Sequence, residues 1–490
     1  DILSFKKKGC YMRKAGILMP VSALPSRNGC GSFGQEAKHF IDLTHQAGLK
    51  IWQILPLNPV SDDNSPYSCY SSYAIDDIYI SLDRLHEKGL IQRVPSFHRR
   101  KKKIDYQAIR KFREPYLKEA FHNFKQDHNF AVFAYQEWVK NYAIFRTFRK
   151  VNDGKCWNEW EDEMKWHPER SQVDLKEYED EIFYQLFLQY EAFLQWKDIK
   201  QYANDLDIEI MGDIPFYVGL DSSDVWSSKE NFLLDEDGKP SFIAGVPPDY
   251  FSATGQRWGN PIYDWEHMKE NAFSFWMERL AYTERLFDII RVDHFRAFDT
   301  YWKINASCPT AVDGEWVEAP GYDLFHLLRE KDPDMEIVAE DLGYLRQEVL
   351  DLRDHFNFRG MRVIQFSWNS DGMGEDREHL TIYTGTHDNE TIDTWYHHFN
   401  NHDRRRMRMC LEKMGYGAKS FDSNVIQYTL DSNADIAIIP MCDWLHQNKE
   451  GRINTPGTVS KNNWTYRLVD FGEYQGVIKD IADKVKQAKR

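Results

Sequence analysis

Eight short apolar segments rich in β-branched residues recur along this 490-residue chain and constrain its fold more than any other feature. They lie at residues 16–21, 51–55, 208–212, 287–292, 336–340, 361–366, 381–384 and 436–440. Short runs of this kind fit the buried strands of a parallel sheet. Eight such strands with helices between them predict an α/β fold, a (β/α)8 TIM barrel.

The spacing of these segments is uneven, which predicts large insertions between the strands. The interval at about 58–205 is rich in charged and aromatic residues and has helical periodicity, clearest at 183–202. We expect residues 12–490 to form a single barrel domain with this mainly helical insertion. Residues 1–11, ahead of Met12, are expected to be a tag or an upstream extension.

Charge and cysteine usage exclude several classes of function. The net charge of −15 argues against nucleic acid as a partner, because phosphate binding needs a basic surface. The seven cysteines form no CxxC pair or Cys/His cluster, so neither a zinc site nor a disulfide framework is indicated. No apolar stretch approaches the roughly 18 residues of a membrane span. We therefore expect a cytoplasmic protein with no nucleic-acid or membrane partner.

Four of the apolar segments end in a carboxylate, at Asp213, Asp293, Glu340 and Asp388. Catalytic groups of parallel α/β barrels lie at the carboxyl ends of the strands, so we expect these acids to share one pocket. Glycoside chemistry needs at least two carboxylates. The aromatic content of 15% also suits the apolar faces of sugars, although most of these rings are expected to pack in the core.

The residues around these acids predict individual roles. Arg291 and Asp293 are two positions apart and share a face of their strand. A neighbouring guanidinium lowers a carboxyl pKa and keeps the group ionised, as a nucleophile requires. Glu340 follows an apolar run whose desolvation would raise its pKa, which suits a general acid. His387 and Asp388 are suited to bind sugar hydroxyls around an oxocarbenium-like transition state.

Each of these elements also has a structural interpretation. Arg291–Asp293 could be an ion pair inside the barrel. Glu340–Asp341 could cap the next helix, because acids favour helix N-termini. His387–Asn389 could likewise form a helix N-cap, with Glu390 in the first turn. Taken separately each element is more often structural, but their joint occurrence at successive strand ends favours an enzyme.

Four sequence blocks enclose these acids, at Gly212–Val218, Arg291–Arg296, Ala339–Gly343 and Thr386–Asn389. Other distinctive segments are Leu24–Ser26, Asn64–Tyr67, Gly245–Phe251, Gly255–Pro261, Asn454–Thr458 and Asn463–Trp464. This ordered set closely resembles the amylomaltases, which are 4-α-glucanotransferases (disproportionating enzymes) of the α-amylase clan. The resemblance runs from about residue 16 to residue 467. It implies a metal-independent enzyme, so no cofactor and no metal ion are expected.

The resemblance implies a role for each catalytic residue. Asp293 is expected to be the nucleophile that forms a covalent β-glucosyl–enzyme intermediate, oriented by Arg291. Glu340 is expected to protonate the departing glucan and then to deprotonate the acceptor. Asp388 is expected to stabilise the transition state by holding ring hydroxyls together with His387. Two successive displacements retain the anomeric configuration, which predicts a separation of roughly 5–5.5 Å between nucleophile and acid.

The resemblance also implies a set of substrate contacts. Tyr67 is expected to stack on the donor glucose and Asp213 to bind its hydroxyls. Within an active-site loop region at about 220–285, the segment Gly245–Pro261 resembles the family's loop over the acceptor groove. The residues expected to bind substrate are Tyr67, Asp213, Arg291, His387, Tyr250, Phe251, Trp258 and Asn463.

The predicted activity is transfer of α-1,4-glucan segments between maltooligosaccharides, or to glucose. A transferase must bind a sugar acceptor and exclude water from the intermediate. The expected partners are therefore maltooligosaccharides, α-1,4-glucans and glucose. Two alternatives remain: a hydrolase of the same clan, in which water takes the intermediate, and a non-catalytic glucan-binding barrel.

Overall fold

The computed structural model describes residues 13–61, 63–97, 102–167, 173–248, 252–368, 377–417 and 419–490. The strands are β1 (Lys14–Leu18), β2 (Ile51–Gln53), β3 (Glu209–Ile214), β4 (Phe242–Val246), β5 (Gln256–Pro261), β6 (Ile289–Val292), β7 (Thr300–Asn305), β8 (Gly314–Glu318), β9 (Ile337–Ala339), β10 (Gly360–Val363), β11 (Leu380–Tyr383) and β12 (Ile436–Pro440).

The α-helices are α1 (Gln35–Gln46), α2 (Leu82–Glu87), α3 (Tyr106–Asn123), α4 (His128–Ala134), α5 (Glu137–Val151), α6 (Asp162–Lys165), α7 (Glu179–Asp205), α8 (Ser223–Ser227), α9 (Trp265–Glu270), α10 (Ser274–Leu286), α11 (Gly321–Lys331), α12 (Gln347–His355), α13 (Ile364–Ser367), α14 (Ile392–His398), α15 (Asn401–Lys413), α16 (Phe421–Asp431), α17 (Met441–Trp444) and α18 (Gly472–Ala488). Short 3₁₀ helices lie at Val21–Ala23, Asp77–Tyr79, Trp157–Glu159, Leu175–Tyr178, Lys229–Asn231, Phe295–Phe298 and Lys449–Gly451.

Eight of the strands form a parallel barrel. Their order is β10-β11-β12-β1-β2-β3-β6-β9. Arg359, just ahead of β10, closes the ring by hydrogen bonds to β9: its N–H donates to Ile337 O at 3.1 Å and its carbonyl accepts from Ala339 N at 2.7 Å. This confirms the predicted α/β class and (β/α)8 barrel. The sixth predicted strand was too long, because the chain turns into α13 after Val363.

The interval at about 58–205 carries helices α2 to α7, and the last of them has two packing faces. Trp196 and Ile199 of α7 are buried in the barrel core. Leu186 and Tyr190 of the same helix instead pack with Phe130 of α4 in a separate cluster. The 27-residue α7 therefore leads directly into β3 and joins the helical insertion to the barrel.

A second, antiparallel sheet was not predicted from the sequence. Its strand order is β5-β4-β7-β8, and its chain segments come from the connections that follow β3 and β6. The interval at about 220–285, expected as an active-site loop region, contains two of these strands and helices α8 to α10. Connections of this kind leave the carboxyl ends of barrel strands, so the second sheet stands beside the predicted site.

The helices and the cysteines bear on the predictions that the chain has neither a membrane span nor a disulfide framework. None of the helices in the described ranges is long and apolar enough to cross a membrane. The six cysteines in those ranges are unpaired thiols. Residues 1–11 lie outside the described residues.

Candidate active site

The strand register places Asp213, Asp293 and Glu340 side by side at the carboxyl edge of the barrel. Asp213 of β3 lies directly opposite Arg291 of β6. The backbone N–H of Asp293 continues the ladder to β3 at 3.0 Å, and that of Glu340 continues the ladder to β6 at 3.1 Å. Both acids therefore leave the carboxyl edge of the barrel from adjacent strands.

A single guanidinium connects three carboxylates at this edge. Nη1 of Arg291 donates to both carboxylate oxygens of Asp213, at 2.7 and 2.6 Å. Its Nη2 lies 3.2 Å from Oδ1 of Asp293 and 3.3 Å from Oε1 of Glu340. The side chains of Arg291 and Asp213 are buried, whereas those of Asp293 and Glu340 are 29% and 22% exposed. We call these four residues the Arg291 cluster.

The pKa of Asp293 differs from the sequence-based expectation. Desolvation and the negative charge of Glu340 raise the pKa of Asp293 well above its ordinary value, and Arg291 lowers it by less. The prediction that Arg291 keeps this pKa low was therefore wrong. Burial of the carboxylate is the main cause, and the charge of Glu340 adds to it; the guanidinium of Arg291 contacts Asp213 and Glu340 as well as Asp293.

Asp388 faces the same cleft from the turn after β11. Its Oδ1 accepts a hydrogen bond from Nδ2 of Asn454 at 2.6 Å and lies 3.5 Å from Nε2 of His387. The imidazole of His387 stacks on the ring of Tyr67, with centroids 5.2 Å apart and an interplanar angle of 18°. Tyr67 in turn donates its hydroxyl to Oδ2 of Asp213 at 2.7 Å. This turn is thereby connected to the Arg291 cluster.

These groups line a cleft of about 390 Å³. Its lining residues are Asp63, Ser65, Tyr67, Gln256, Trp258, Asp293, His294, Glu340, His387, Asp388, Asn454–Ser460, Asn463 and Trp464. The structure thus brings the three predicted catalytic acids together. Asp213 is not part of the lining, because Arg291 and Tyr67 cover its carboxylate.

Of the other residues predicted to bind substrate, one is exposed in the cleft wall, one is buried behind it and two lie outside the described residues. Trp258 on β5 is 39% exposed in the cleft wall and meets His294 edge-on, with ring centroids 4.9 Å apart. Asn463 is buried, and its Nδ2 donates to the carbonyl of Thr458 at 3.0 Å, so it holds the loop that forms another wall. Tyr250 and Phe251 lie outside the described residues.

The alternative helix-cap interpretations are wrong. Helix α14 is capped by Thr391, whose hydroxyl accepts from Thr394 N, and not by Asp388 or Asn389. Helix α12 begins only at Gln347, with Arg346 as its N-cap residue. The ion pair between Arg291 and Asp293 does exist, but within a cluster that opens into the cleft.

Sequence reasoning assigned no role to His294, which directly contacts a catalytic acid. Its backbone N–H donates to Oε2 of Glu340 at 2.5 Å, in a left-handed conformation with φ of 51°. Burial and the charge of Arg296 lower the pKa of His294 to about 3, so the ring is neutral. A backbone donor leaves no side-chain signature in a sequence, although His294 lay within one of the recognised blocks.

Asn454 and Trp464 were also given no role in advance. Asn454 holds Asp388, and the ring of Trp464 lies 5.7 Å from that of Tyr67 and 5.8 Å from that of His387. Both residues come from the loop after α17, and their only advance signal was their place in the recognised segments. In the described part of the chain, no group of three or more His, Cys, Asp or Glu residues could hold a metal ion.

Comparisons with known proteins agree with this geometry. The family model described as 4-alpha-glucanotransferase matches residues 19–471. The 4-alpha-glucanotransferase of Synechocystis sp. is 39% identical, with 93% of this chain and 94% of that protein covered. The Thermus thermophilus 4-alpha-glucanotransferase is 38% identical, with coverage of 93% and 95%.

Solved structures point to the same relatives. An amylomaltase from Streptococcus agalactiae in complex with acarbose superposes with a TM-score of 0.91 and 33% identity, covering 97% of this chain and 99% of that one. An amylomaltase from Corynebacterium glutamicum shares the fold, with a TM-score of 0.77 and 16% identity, covering 98% of this chain and 76% of that one. This chain is an enzyme that belongs to the 4-alpha-glucanotransferase family.

Proposed function

We propose that this chain transfers α-1,4-glucan segments between maltooligosaccharides, or to glucose, by a retaining double displacement. The observation that carries this mechanism is the shared contact of Asp293 and Glu340 with one nitrogen of Arg291. Two carboxylates this close fit the short separation of retaining enzymes, whereas inverting enzymes leave room for a water molecule between them.

In the first displacement, the carboxylate of Asp293 attacks the anomeric carbon of the donor. The bond between that carbon and the glycosidic oxygen breaks, and Glu340 gives its proton to this oxygen. The product is a β-glucosyl ester of Asp293 with an ionised Glu340. In the second displacement, Glu340 takes the proton of an acceptor hydroxyl, whose oxygen attacks the anomeric carbon and releases Asp293.

The raised pKa of Asp293 is set by burial and by the negative charge of Glu340, which outweigh the attraction of Arg291. The reaction requires an ionised Asp293 and a proton on Glu340. Positive charge that develops at the anomeric carbon favours an ionised Asp293, and its 3.2 Å contact with Arg291 supports the same arrangement.

The groups around the pair are placed to bind the sugar ring and the acceptor. Asp388, held by Asn454, is suited to accept hydrogen bonds from ring hydroxyls beside His387. Tyr67 presents an aromatic face next to the acids, and Trp258 presents another on the second sheet. We assign Trp258 to the acceptor side, where a bound sugar would displace water. The same role is proposed for Tyr250 and Phe251.

Incubation with pure maltotriose, followed by separation of products by chain length, tests the proposal. A ladder of longer maltodextrins together with glucose is the expected result. Glucose and maltose alone would identify a hydrolase, and saturable binding of maltotriose without turnover would identify a glucan-binding barrel. Because a related amylomaltase was solved with acarbose, acarbose is also the appropriate competitor for the cleft.

A cytoplasmic location is proposed as well, on the basis of the scattered cysteines in the sequence. Cell fractionation followed by detection of the chain tests it, and recovery outside the cytoplasmic fraction would overturn it.

A further inference from the structure

Arg452 joins the turn that carries Asp388 to the loop that holds this acid. The residue follows the 3₁₀ helix Lys449–Gly451. Its Nε donates to the carbonyl of Asn454 at 2.8 Å, and its Nη1 donates to Oε1 of Glu390 at 2.8 Å. Its Nη2 lies 3.5 Å from the carbonyl oxygen of Asp388. One guanidinium thus connects two segments that are 64 residues apart in the chain.

Asn454 transmits this contact to the carboxylate of Asp388. Its side-chain Nδ2 donates to Oδ1 of Asp388 at 2.6 Å, and its backbone N–H donates to the carbonyl of His387 at 3.1 Å. Asn454 is buried, so its side chain has little room to reorient once its backbone is fixed. Arg452 binds the carbonyl of this same residue. The position of the Asp388 carboxylate therefore depends on the backbone that Arg452 holds.

The ion pair between Arg452 and Glu390 fixes the guanidinium itself. The two side chains are 25% and 21% exposed, so solvent screens this pair less than it screens a surface pair. The other carboxylate oxygen of Glu390, Oε2, lies 2.9 Å from Nδ1 of His398. The backbone carbonyl of Glu390 accepts from Nε2 of Gln365 at 2.7 Å. Glu390 is thus held by its side chain and its backbone, and it gives the guanidinium a fixed partner two residues after Asp388.

Neither member of this ion pair lines the catalytic cleft. Arg452 lines a neighbouring cavity of about 920 Å³ instead, and Asn454, Thr455 and Asn463 line both cavities. A sugar in the cleft therefore meets Asp388 and Asn454, whereas Arg452 acts on that sugar through them.

The arrangement requires the shape of arginine as well as its charge. Three different nitrogens of Arg452 face three acceptors, on Asn454, Glu390 and Asp388. Arginine carries its donors in a rigid planar fork, whereas lysine has one nitrogen at the end of a flexible stem. Arg452→Lys therefore keeps the positive charge beside Glu390 and removes the connection between the turn and the loop.

We propose that Arg452 is a positioning residue that holds Asp388 where it stabilises the transition state. The proposal rests on the proposed function, which gives that role to Asp388. An interaction that is stronger in the transition state than in the ground state contributes to kcat more than to KM. Displacement of such a group by about 1 Å can cost up to about 10²-fold in rate.

The first test compares Arg452→Lys with a matched control in the full chain. Arg452→Lys should lower kcat for maltotriose transfer about tenfold and change KM by less than about twofold. Arg467→Lys is the control, because Arg467 is also half-buried, lines the same neighbouring cavity and bonds to the carbonyls of Gly29 and Ser26, which do not line the cleft. Its kcat should stay close to that of the wild type. Thermal unfolding followed by circular dichroism checks that both variants are folded.

The second test uses a readout that general damage to the structure would not give. Asp388→Asn removes the charge that Arg452 positions, so the two changes should not be additive. Arg452→Lys should lower kcat about tenfold in the wild type and by less than about twofold in the Asp388→Asn background. A high enzyme concentration keeps the low rates of this background measurable.

The positioning role would be overturned by a wild-type kcat in Arg452→Lys, by an equal loss in Arg467→Lys, or by the same fold-loss in both Asp388 backgrounds. Conversion of maltotriose by the wild type and by Asp388→Asn is measured in parallel. Absence of conversion by the wild type would instead refute the proposed function, and a near-normal kcat in Asp388→Asn would refute the role of this acid. Failure of the positioning role is therefore distinguishable from failure of the proposed function.

Discussion

Two arginine-centred clusters lie next to each other at the end of β9, and they differ in how the guanidinium is shared. In the Arg291 cluster one guanidinium serves three carboxylates, two of which reach the cleft. In the second cluster, which we call the Arg353 cluster, Arg353 contacts the buried Asp341 and the exposed Asp354. Glu340 and Asp341 are adjacent in the chain, yet one enters the cleft and the other is 3% exposed in the protein interior.

The difference shows how similar residue types serve chemistry in one place and stability in the other. Asp341 also accepts a hydrogen bond from Met361 N at 2.6 Å, so its carboxylate is saturated and shielded from substrate. The Arg291 cluster has three carboxylates around one cation, and two of these carboxylates line the cleft. A surplus of acids beside an opening, rather than the presence of an ion pair, therefore marks the catalytic cluster.

The largest expected effect concerns the acids that reach the cleft. Asp293→Asn and Glu340→Gln should each lower kcat for maltotriose transfer by about 10³-fold or more, because each removes a group that takes part in bond making or proton transfer. Steady-state kinetics and circular dichroism measure activity and folding together. Asp354→Asn is the control, since this carboxylate is 60% exposed and pairs with Arg353 outside the cleft. Near-normal turnover in Asp293→Asn or Glu340→Gln would refute its assigned role.

Substitutions in the Arg353 cluster should lower the free energy of unfolding and leave kcat nearly unchanged. Arg353→Met leaves the buried Asp341 without its cation and should lower the free energy of unfolding by about 3–5 kcal/mol. Urea denaturation measures this loss, and kcat per folded molecule should change far less than in Asp293→Asn. Adding Asp341→Asn should restore part of the stability. A stable but inactive Arg353→Met protein would contradict the distinction between the two clusters.

A further buried carboxylate, for which the described residues show no arginine contact, extends the comparison to pH. Asp443 accepts hydrogen bonds from Oγ1 of Thr384 at 2.6 Å and from Ile392 N at 2.9 Å. Burial raises its pKa from 3.8 to about 7. The folded state therefore holds this proton more tightly than the unfolded state, and its contribution to stability falls as pH rises from about 4 to 7.

Asp443→Asn keeps the shape of this side chain and removes the ionisation. Its stability relative to the wild type should be about 2–3 kcal/mol more favourable at pH 8 than at pH 5. Denaturation at the two pH values measures the difference. Equal offsets at both would show that Asp443 has an ordinary pKa.

The smallest expected effect concerns the hydroxyl that completes the Arg291 cluster. Tyr67→Phe removes the 2.7 Å hydrogen bond to Asp213 and should lower kcat/KM about tenfold, the equivalent of roughly 1.4 kcal/mol. Tyr202→Phe removes a tyrosine–aspartate bond of the same length, to Asp42, and is the matched control. Equal effects of the two changes on kcat/KM would remove Tyr67 from the proposed machinery.

The sequence by itself determined the barrel and the three acids of the cleft. Buried parallel strands are continuous apolar runs, and this local signal located all eight strands to within a few residues. The position of Asp293, Glu340 and Asp388 at the ends of such runs predicted that these acids share one pocket. The second sheet was missed because β5 and β8 are largely exposed and polar, so hydropathy does not separate them from loops.

Only the tertiary structure decided how the acids are charged and what holds them. Asp213 lies 78 residues before Arg291 in the chain, and strand register alone brings the two together. Burial and the nearby charge of Glu340, which also depend on the fold, raise the pKa of Asp293 against the expected direction. The donor to Glu340 is a backbone N–H, and Asp388 is held by an asparagine 66 residues away. Desolvation and long-range contacts depend on the folded arrangement of the whole chain, whereas hydropathy is a property of each local segment.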